Sequence, residues 1–121
     1  MRKQKFRQLV IWQRAMDLVA DVYQETAVLP REELYGLTGQ IRRAAVSIAM
    51  NIAEGSGAGS DAEFKRFLQM AMRSAYEVMC GTEVALKLCY LPNEKAEALL
   101  DDLEQLSAML HVFMKKLRAS S

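Results

Sequence analysis

The stretch Leu99-Leu100-Asp101-Asp102-Leu103-Glu104-Gln105-Leu106-Ser107-Ala108-Met109-Leu110-His111-Val112-Phe113-Met114-Lys115-Lys116-Leu117 decides the fold. Leu99, Leu103, Leu106, Leu110, Phe113 and Leu117 step by four and three in strict alternation, which places them on one stripe of an α-helix. That spacing is the pattern of a helix sunk along another helix in near-parallel packing. Lys115, Lys116 and Arg118 follow at the C-terminal end, where the helix dipole favours cations. Pro92 and Asn93 mark the break before the stretch, with Asn93 as the expected N-cap and Glu94 and Glu97 near the positive end of the dipole.

Working backwards, the same periodicity predicts three more helices. Phe64, Phe67, Leu68, Ala71, Ala75, Val78 and Met79 define one over about 61–90, opened by Ser60 and Glu63 in capping-box spacing. Gly81 lies inside it, a cost of roughly 1 kcal/mol against Ala, best explained by the close approach of a neighbouring helix, with a kink as the alternative. Leu37, Ile41, Ala44 or Ala45, Ile48 and Ile52 define another over about 37–54, stopping at Gly55, the first glycine of Gly55-Ser56-Gly57-Ala58-Gly59. Leu9, Trp12, Met16, Val19 and Tyr23 define the first over about 8–27, before Pro30 forbids continuation. Four long helices with short connections read as an all-α, antiparallel up-down-up-down four-helix bundle.

Composition agrees. The 121 residues are one domain's worth, 51% hydrophobic and 26% charged, with Gly 6 and Pro 2, too few for a turn-rich β sandwich. A single domain over 1–121 is expected, with 1–7 a basic N-terminal arm and 118–121 a frayed tail. Cys80 and Cys89, nine residues apart, would face opposite sides of a helix and are expected as free, mostly buried thiols. Free thiols fit a reducing compartment, the chain shows no signal segment and no apolar run of membrane-spanning length, and the expected location is the cytoplasm.

The net charge of +1 hides an asymmetry. Arg2, Lys3, Lys5, Arg7 and Arg14 fall in the first fourteen residues with no acid, so the remainder is negative by four. The bundle topology brings Arg2, Lys3, Lys5, Arg7, Lys65, Arg66, Lys115, Lys116 and Arg118 to one pole, a candidate nucleic-acid contact made through phosphates. Glu25, Glu32, Glu33, Glu94, Glu97, Asp101 and Asp102 gather at the other. A polar stripe, Gln40, Arg43, Ser47, Asn51 and Glu54, runs beside the apolar one on the second helix and is answered by Ser74 and Glu77 on the third. Small polar groups on facing helices fix register by hydrogen bonding, so these seven are candidates for an interhelix or subunit network.

Other chemistries lack their residues. A ferritin-like di-iron site needs Glu-x-x-His from each of two helices, and His111 is the single histidine, expected to be partly buried. The glycine loop lacks the Gly-Lys-Ser/Thr ending of a phosphate loop and follows a helix rather than a strand, so it reads as an interhelical turn. Trp12, Tyr23, Tyr35, Tyr76 and Tyr90 are too dispersed for base stacking. The eight methionines read as core filler. No catalytic residue, metal, cofactor, membrane contact or small-molecule substrate is expected.

Leu9-Val10-Ile11-Trp12-Gln13-Arg14-Ala15, Leu29-Pro30, Glu33-Leu34-Tyr35-Gly36-Leu37-Thr38-Gly39-Gln40-Ile41-Arg42-Arg43-Ala44-Ala45, Ser47 and Asn51-Ile52-Ala53-Glu54-Gly55-Ser56-Gly57, with Phe67-Leu68, Ser74 and Glu77, together resemble the bacterial four-helix-bundle family, also called the intervening-sequence protein of large-subunit ribosomal RNA. The resemblance runs from about residue 6 to 117. It implies a non-enzymatic bundle assembling with itself into a ring-like homopentamer. It also implies kinship with the accessory variability determinant of diversity-generating retroelements, a basic pentameric barrel that binds reverse transcriptase and nucleic acid, so that RNA or a reverse transcriptase is the implied partner. Two positions depart from the family pattern: Ala49 stands where a proline often follows Ser-Ile, which implies a straighter second helix, and Ala58 stands where an arginine often follows the glycine pair, which removes a phosphate contact.

Overall fold

A computed structural model describes residues 4–117. In chain order it contains α1 (Val10–Thr26), α2 (Leu37–Ser56), α3 (Asp61–Lys87) and α4 (Asn93–Lys116), with 3-10 turns at Lys5–Gln8 and Arg31–Glu33. Each helix packs against the next, and α4 returns to pack against α1, which closes the four-helix bundle. The antiparallel sense is written in the cross-helix pairs. Arg42 at the start of α2 reaches Thr26 at the end of α1, Phe64 at the start of α3 meets Phe113 near the end of α4, and Lys95 near the start of α4 pairs with Glu25 near the end of α1.

The core stripes of α2, α3 and α4 lie where periodicity puts them: Ile41, Ile48, Ile52, Leu68, Ala75, Val78, Leu99, Leu103, Leu106 and Leu110 are buried. Each large aliphatic side chain so removed from water contributes about 1.5–3 kcal/mol before entropy is charged against it. On α1 the stripe is different. Ile11, Ala15, Leu18, Val22 and Thr26 face the core, whereas Met16 and Tyr23 are largely exposed and Trp12 and Val19 lie at the edge. Both sets step by three and four. Periodicity alone does not choose between adjacent stripes, and the bulky Trp12 and Tyr23 fit the rim better than a centre where α1 contributes Ala15.

Helix ends depart from expectation in four places. Gly55 does not stop α2 but lies buried inside it: a Cβ there would sit 2.8 Å from Phe64 Cδ1 and 2.8 Å from Phe67 Cβ, and the helix ends at Ser56 with Gly57 as its C-cap. Helix α3 ends at Lys87 rather than near 90, because Cys89 takes a left-handed conformation at φ 63° and the Tyr90 N–H donates to Ala85 O at 2.8 Å. The N-cap position of α4 is Pro92, Asn93 is the first helical residue, and no side chain caps this end. The capping box of α3 is half made. The Glu63 N–H donates to Ser60 Oγ at 3.1 Å, but the Glu63 carboxylate turns to Arg66 at 3.0 Å.

Three further expectations need correction. Cys80 and Cys89 are free but exposed rather than buried, because Cys80 sits on the outer flank of α3 and Cys89 on the turn that leaves it. His111 is exposed. Of the methionines, Met72, Met79, Met109 and Met114 pack against the core, whereas Met16 and Met50 are exposed. Helix α2 runs unbroken through the buried Ala49. Among the described residues no helix is long and apolar enough to cross a membrane.

Candidate functional site

The basic pole is assembled from three chain segments. The part of the N-terminal arm that is described is folded back as the 3-10 turn Lys5–Gln8, held by an edge-on Phe6–Trp12 contact with ring centroids 4.9 Å apart. This turn sets Lys5 Nζ 5.9 Å from the centre of the Phe64 ring, at the start of α3. Phe64 in turn lies 5.3 Å, centre to centre, from Phe113 near the end of α4, so Lys5, Lys65, Arg66, Lys115 and Lys116 share one end of the bundle. Arg2, Lys3 and Arg118 lie outside the described residues.

The cations of this pole differ in their attachments. Arg66 is bidentate on Glu63 and stacks 4.8 Å from the Phe67 ring centre, and the pairing holds the exposed Glu63 carboxyl below its usual range. Arg7 donates to Gln4 Oε1 at 3.0 Å and lies over Phe6. Lys115 and Lys116 are exposed in the last turn of α4.

The seven-residue polar set is divided by the structure. Ser74 Oγ donates to Ser47 Oγ at 3.0 Å across the α2–α3 contact, and Asn51 Nδ2 donates to both Ser47 O at 2.9 Å and Ser47 Oγ at 3.0 Å. These three form one cluster. Gln40 stands about two turns from Ser47 along α2 and Glu77 about one turn from Ser74 along α3, and the two flank a hollow of about 130 Å³ lined also by Cys80 and Gly81. The Arg43 guanidinium lies over Gly39, and Glu54 is exposed.

Two tethers were not legible as functional. Arg42 donates through Nε to Thr26 Oγ1 at 2.9 Å and through Nη2 to Tyr23 O at 3.1 Å, with its guanidinium 4.7 Å from the Tyr23 ring centre. Glu33 accepts from the Leu37 N–H at 3.2 Å and from Tyr90 Oη at 3.2 Å. It thereby ties the α1–α2 connection to the end of α3. Desolvation, and then the Glu33 carboxylate it donates to, push the Tyr90 hydroxyl above its usual range. The acidic pole is also less concentrated than charge counting predicts. Asp102 lies partway along the bundle, beside Asp17 and Asp21 in the α1–α4 groove, because its place on α4 falls opposite the middle of α1. Desolvation, followed by Asp102, Asp17 and Glu25, raises the Asp21 carboxyl above the ordinary range.

A larger feature had no sequence signal. Between the start of α1 and the end of α4 lies an open groove of about 570 Å³, walled by Leu9, Val10, Ile11, Ala108, Met109, Val112 and Phe113, with Gln8 and Lys116 its polar linings among the described residues. Among the described residues, no group of three or more His, Cys, Asp or Glu side chains is placed to hold a metal ion.

The fold is an antiparallel four-helix bundle with a serine–asparagine cluster across the α2–α3 contact and a cationic end. Residues 7–112 match the model of the 23S rRNA-intervening sequence protein family, and the chain belongs to that family. A protein with unknown function from the S23 ribosomal protein family of Bacteroides thetaiotaomicron, known by crystal structure, shares the fold with a TM-score of 0.79 at 23% identity. The match covers 88% of this chain and 100% of that one. A comparison with curated proteins finds no match.

Proposed function

We propose that the chain is a non-enzymatic, homo-oligomeric scaffold, pentameric in its assembled form, whose basic pole meets RNA or a ribonucleoprotein. The observation that carries this reading is the convergence of Lys5, Lys65, Arg66, Lys115 and Lys116 from three segments of the chain onto one end of a rigid bundle. Cations so placed engage phosphates without reading bases, so binding is sequence-tolerant and strongly salt-dependent. Repeating the pole around a ring multiplies weak contacts into useful retention.

The test is retention of a structured RNA at two salt concentrations, with absolute mass measured in parallel by light scattering. Charge reversal at Lys5, Lys65, Arg66 and Lys115 should abolish retention while leaving the mass unchanged. Each lost phosphate contact should flatten the log–log salt slope by about 1. Retention that survives the four reversals overturns the nucleic-acid role, and a monomeric mass overturns the scaffold.

A further inference from the structure

Both ends of the bundle carry an open groove of about 570 Å³, and the one at the basic end has the more apolar lining, whereas the other is lined also by Glu25, Asn93 and Lys95. At the basic end, the groove between α1 and α4 exposes an apolar floor, with Val10 58% and Val112 52% accessible beside Leu9, Met109 and Phe113, and Lys116 at its rim. No acid lines it. At the opposite end, the α1–α2 connection projects Leu34 and Tyr35, the latter 92% accessible, directly after the exposed Glu32. An exposed tyrosine of this degree on an ordered turn is an anchor without a pocket, and the groove is a pocket without an anchor.

We infer that the α1–α4 groove receives the Glu32–Tyr35 turn of a second copy of this chain, with Tyr35 and Leu34 on the apolar floor and Glu32 against Lys116. This assignment rests on the homo-oligomeric reading and names the seam that would build it. Charge complementarity supports this occupant: Lys116, the one cation lining the groove among the described residues, is opposite in sign to the exposed Glu32 that stands just before Leu34 and Tyr35, while Glu33 keeps its bonds to Leu37 and Tyr90. The two surfaces lie at opposite ends of one molecule, the helices between them about 25–36 Å long at 1.5 Å per residue, so a copy cannot fill its own groove. A contact between two different patches is heterologous, and repetition of it closes into a ring when the rotation permits. The groove lies on the α1–α4 side, which leaves Lys65 and Arg66, on α3, outside the seam.

Tyr35→Ser and Val112→Asp test the seam, since both positions are largely exposed and the fold tolerates the change. Loss of the tyrosine anchor should raise the dissociation constant of the oligomer about 30-fold, the effect of removing a 2 kcal/mol hot spot. Neither variant should move the melting midpoint measured on the dissociated chain. In a heterologous seam each variant retains one intact half, so at a concentration between the parent's dissociation constant and the raised one, where each variant alone is monomeric, mixing the two should yield a 1:1 heterodimer by light scattering. Lys116→Glu should weaken assembly and Glu32→Lys combined with it should restore it. A wild-type oligomer whose mass survives both substitutions, or variants that stay monomeric when mixed, overturns this seam alone. A wild-type monomer at every concentration overturns the homo-oligomeric reading together with it.

Discussion

Ile41 of α2 occupies the space where a side chain at position 81 of α3 would begin: a Cβ on Gly81 would lie 2.5 Å from Ile41 Cγ1. The glycine in the middle of a 27-residue helix is therefore a contact, and it sets how closely α2 and α3 approach.

The first prediction follows from that contact. Gly81→Ala gains roughly 1 kcal/mol of helix propensity, but the new methyl group meets a buried side chain that has nowhere to go. Overpacking of this kind costs about 1–3 kcal/mol, so the net expectation is a loss of stability, read as a lower denaturation midpoint. In an Ile41→Ala background the same substitution should stabilise, because the clash is gone and the propensity gain remains. A Gly81→Ala variant that is more stable in both backgrounds contradicts the contact.

Cys89 should behave in the opposite way. Its φ of 63° is a conformation that non-glycine residues adopt at a cost of about 1–2 kcal/mol, and its side chain is exposed. Cys89→Gly should raise stability by about 0.5–1 kcal/mol, whereas Cys89→Ala should leave it nearly unchanged. Thermal melts of the two variants separate the backbone effect from loss of the thiol.

The Ser47–Ser74 hydrogen bond gives a coupled prediction. Ser47→Ala and Ser74→Ala should each cost about 1 kcal/mol. Because they remove the same bond, the double variant should cost less than their sum by about 0.5–1 kcal/mol. Strict additivity in chemical denaturation would mean that the bond across the α2–α3 contact contributes nothing.

Asp21 carries the pH dependence. Its carboxyl is raised chiefly by desolvation and then by Asp102, Asp17 and Glu25, so the folded chain holds a proton that the unfolded chain has already released. Ionisation therefore costs stability, and stability falls as pH rises above the ordinary aspartate value of about 3.9. Asp21→Asn should be more stable than the parent at pH 7 by a few tenths of a kcal/mol, given solvent screening at an exposed position. The two should converge near pH 3, where both carry a neutral group. A difference that persists at pH 3 would assign the effect to packing instead.

The all-helical bundle and its four helices were legible in the chain, because apolar spacing fixes a helix and short connections fix antiparallel order. The buried leucines of α4 and the approach to Gly81 lie where the spacing alone puts them. What needed tertiary structure were choices between equivalents. Leu9, Trp12, Met16, Val19 and Tyr23 are as periodic as Ile11, Ala15, Leu18 and Val22, and only the room left by the other helices decides which stripe turns inward. Gly55 reads equally as a stop or as a close contact until Phe64 and Phe67 are placed on it. The division of the polar stripe into a Ser47–Asn51–Ser74 cluster and a separate Gln40–Glu77 hollow, the Arg42 and Glu33 tethers, and the apolar groove all join residues far apart in the chain. Local spacing records the period of one helix against itself. It holds no term for the distance between two helices, and that distance is what turns side chains into a site.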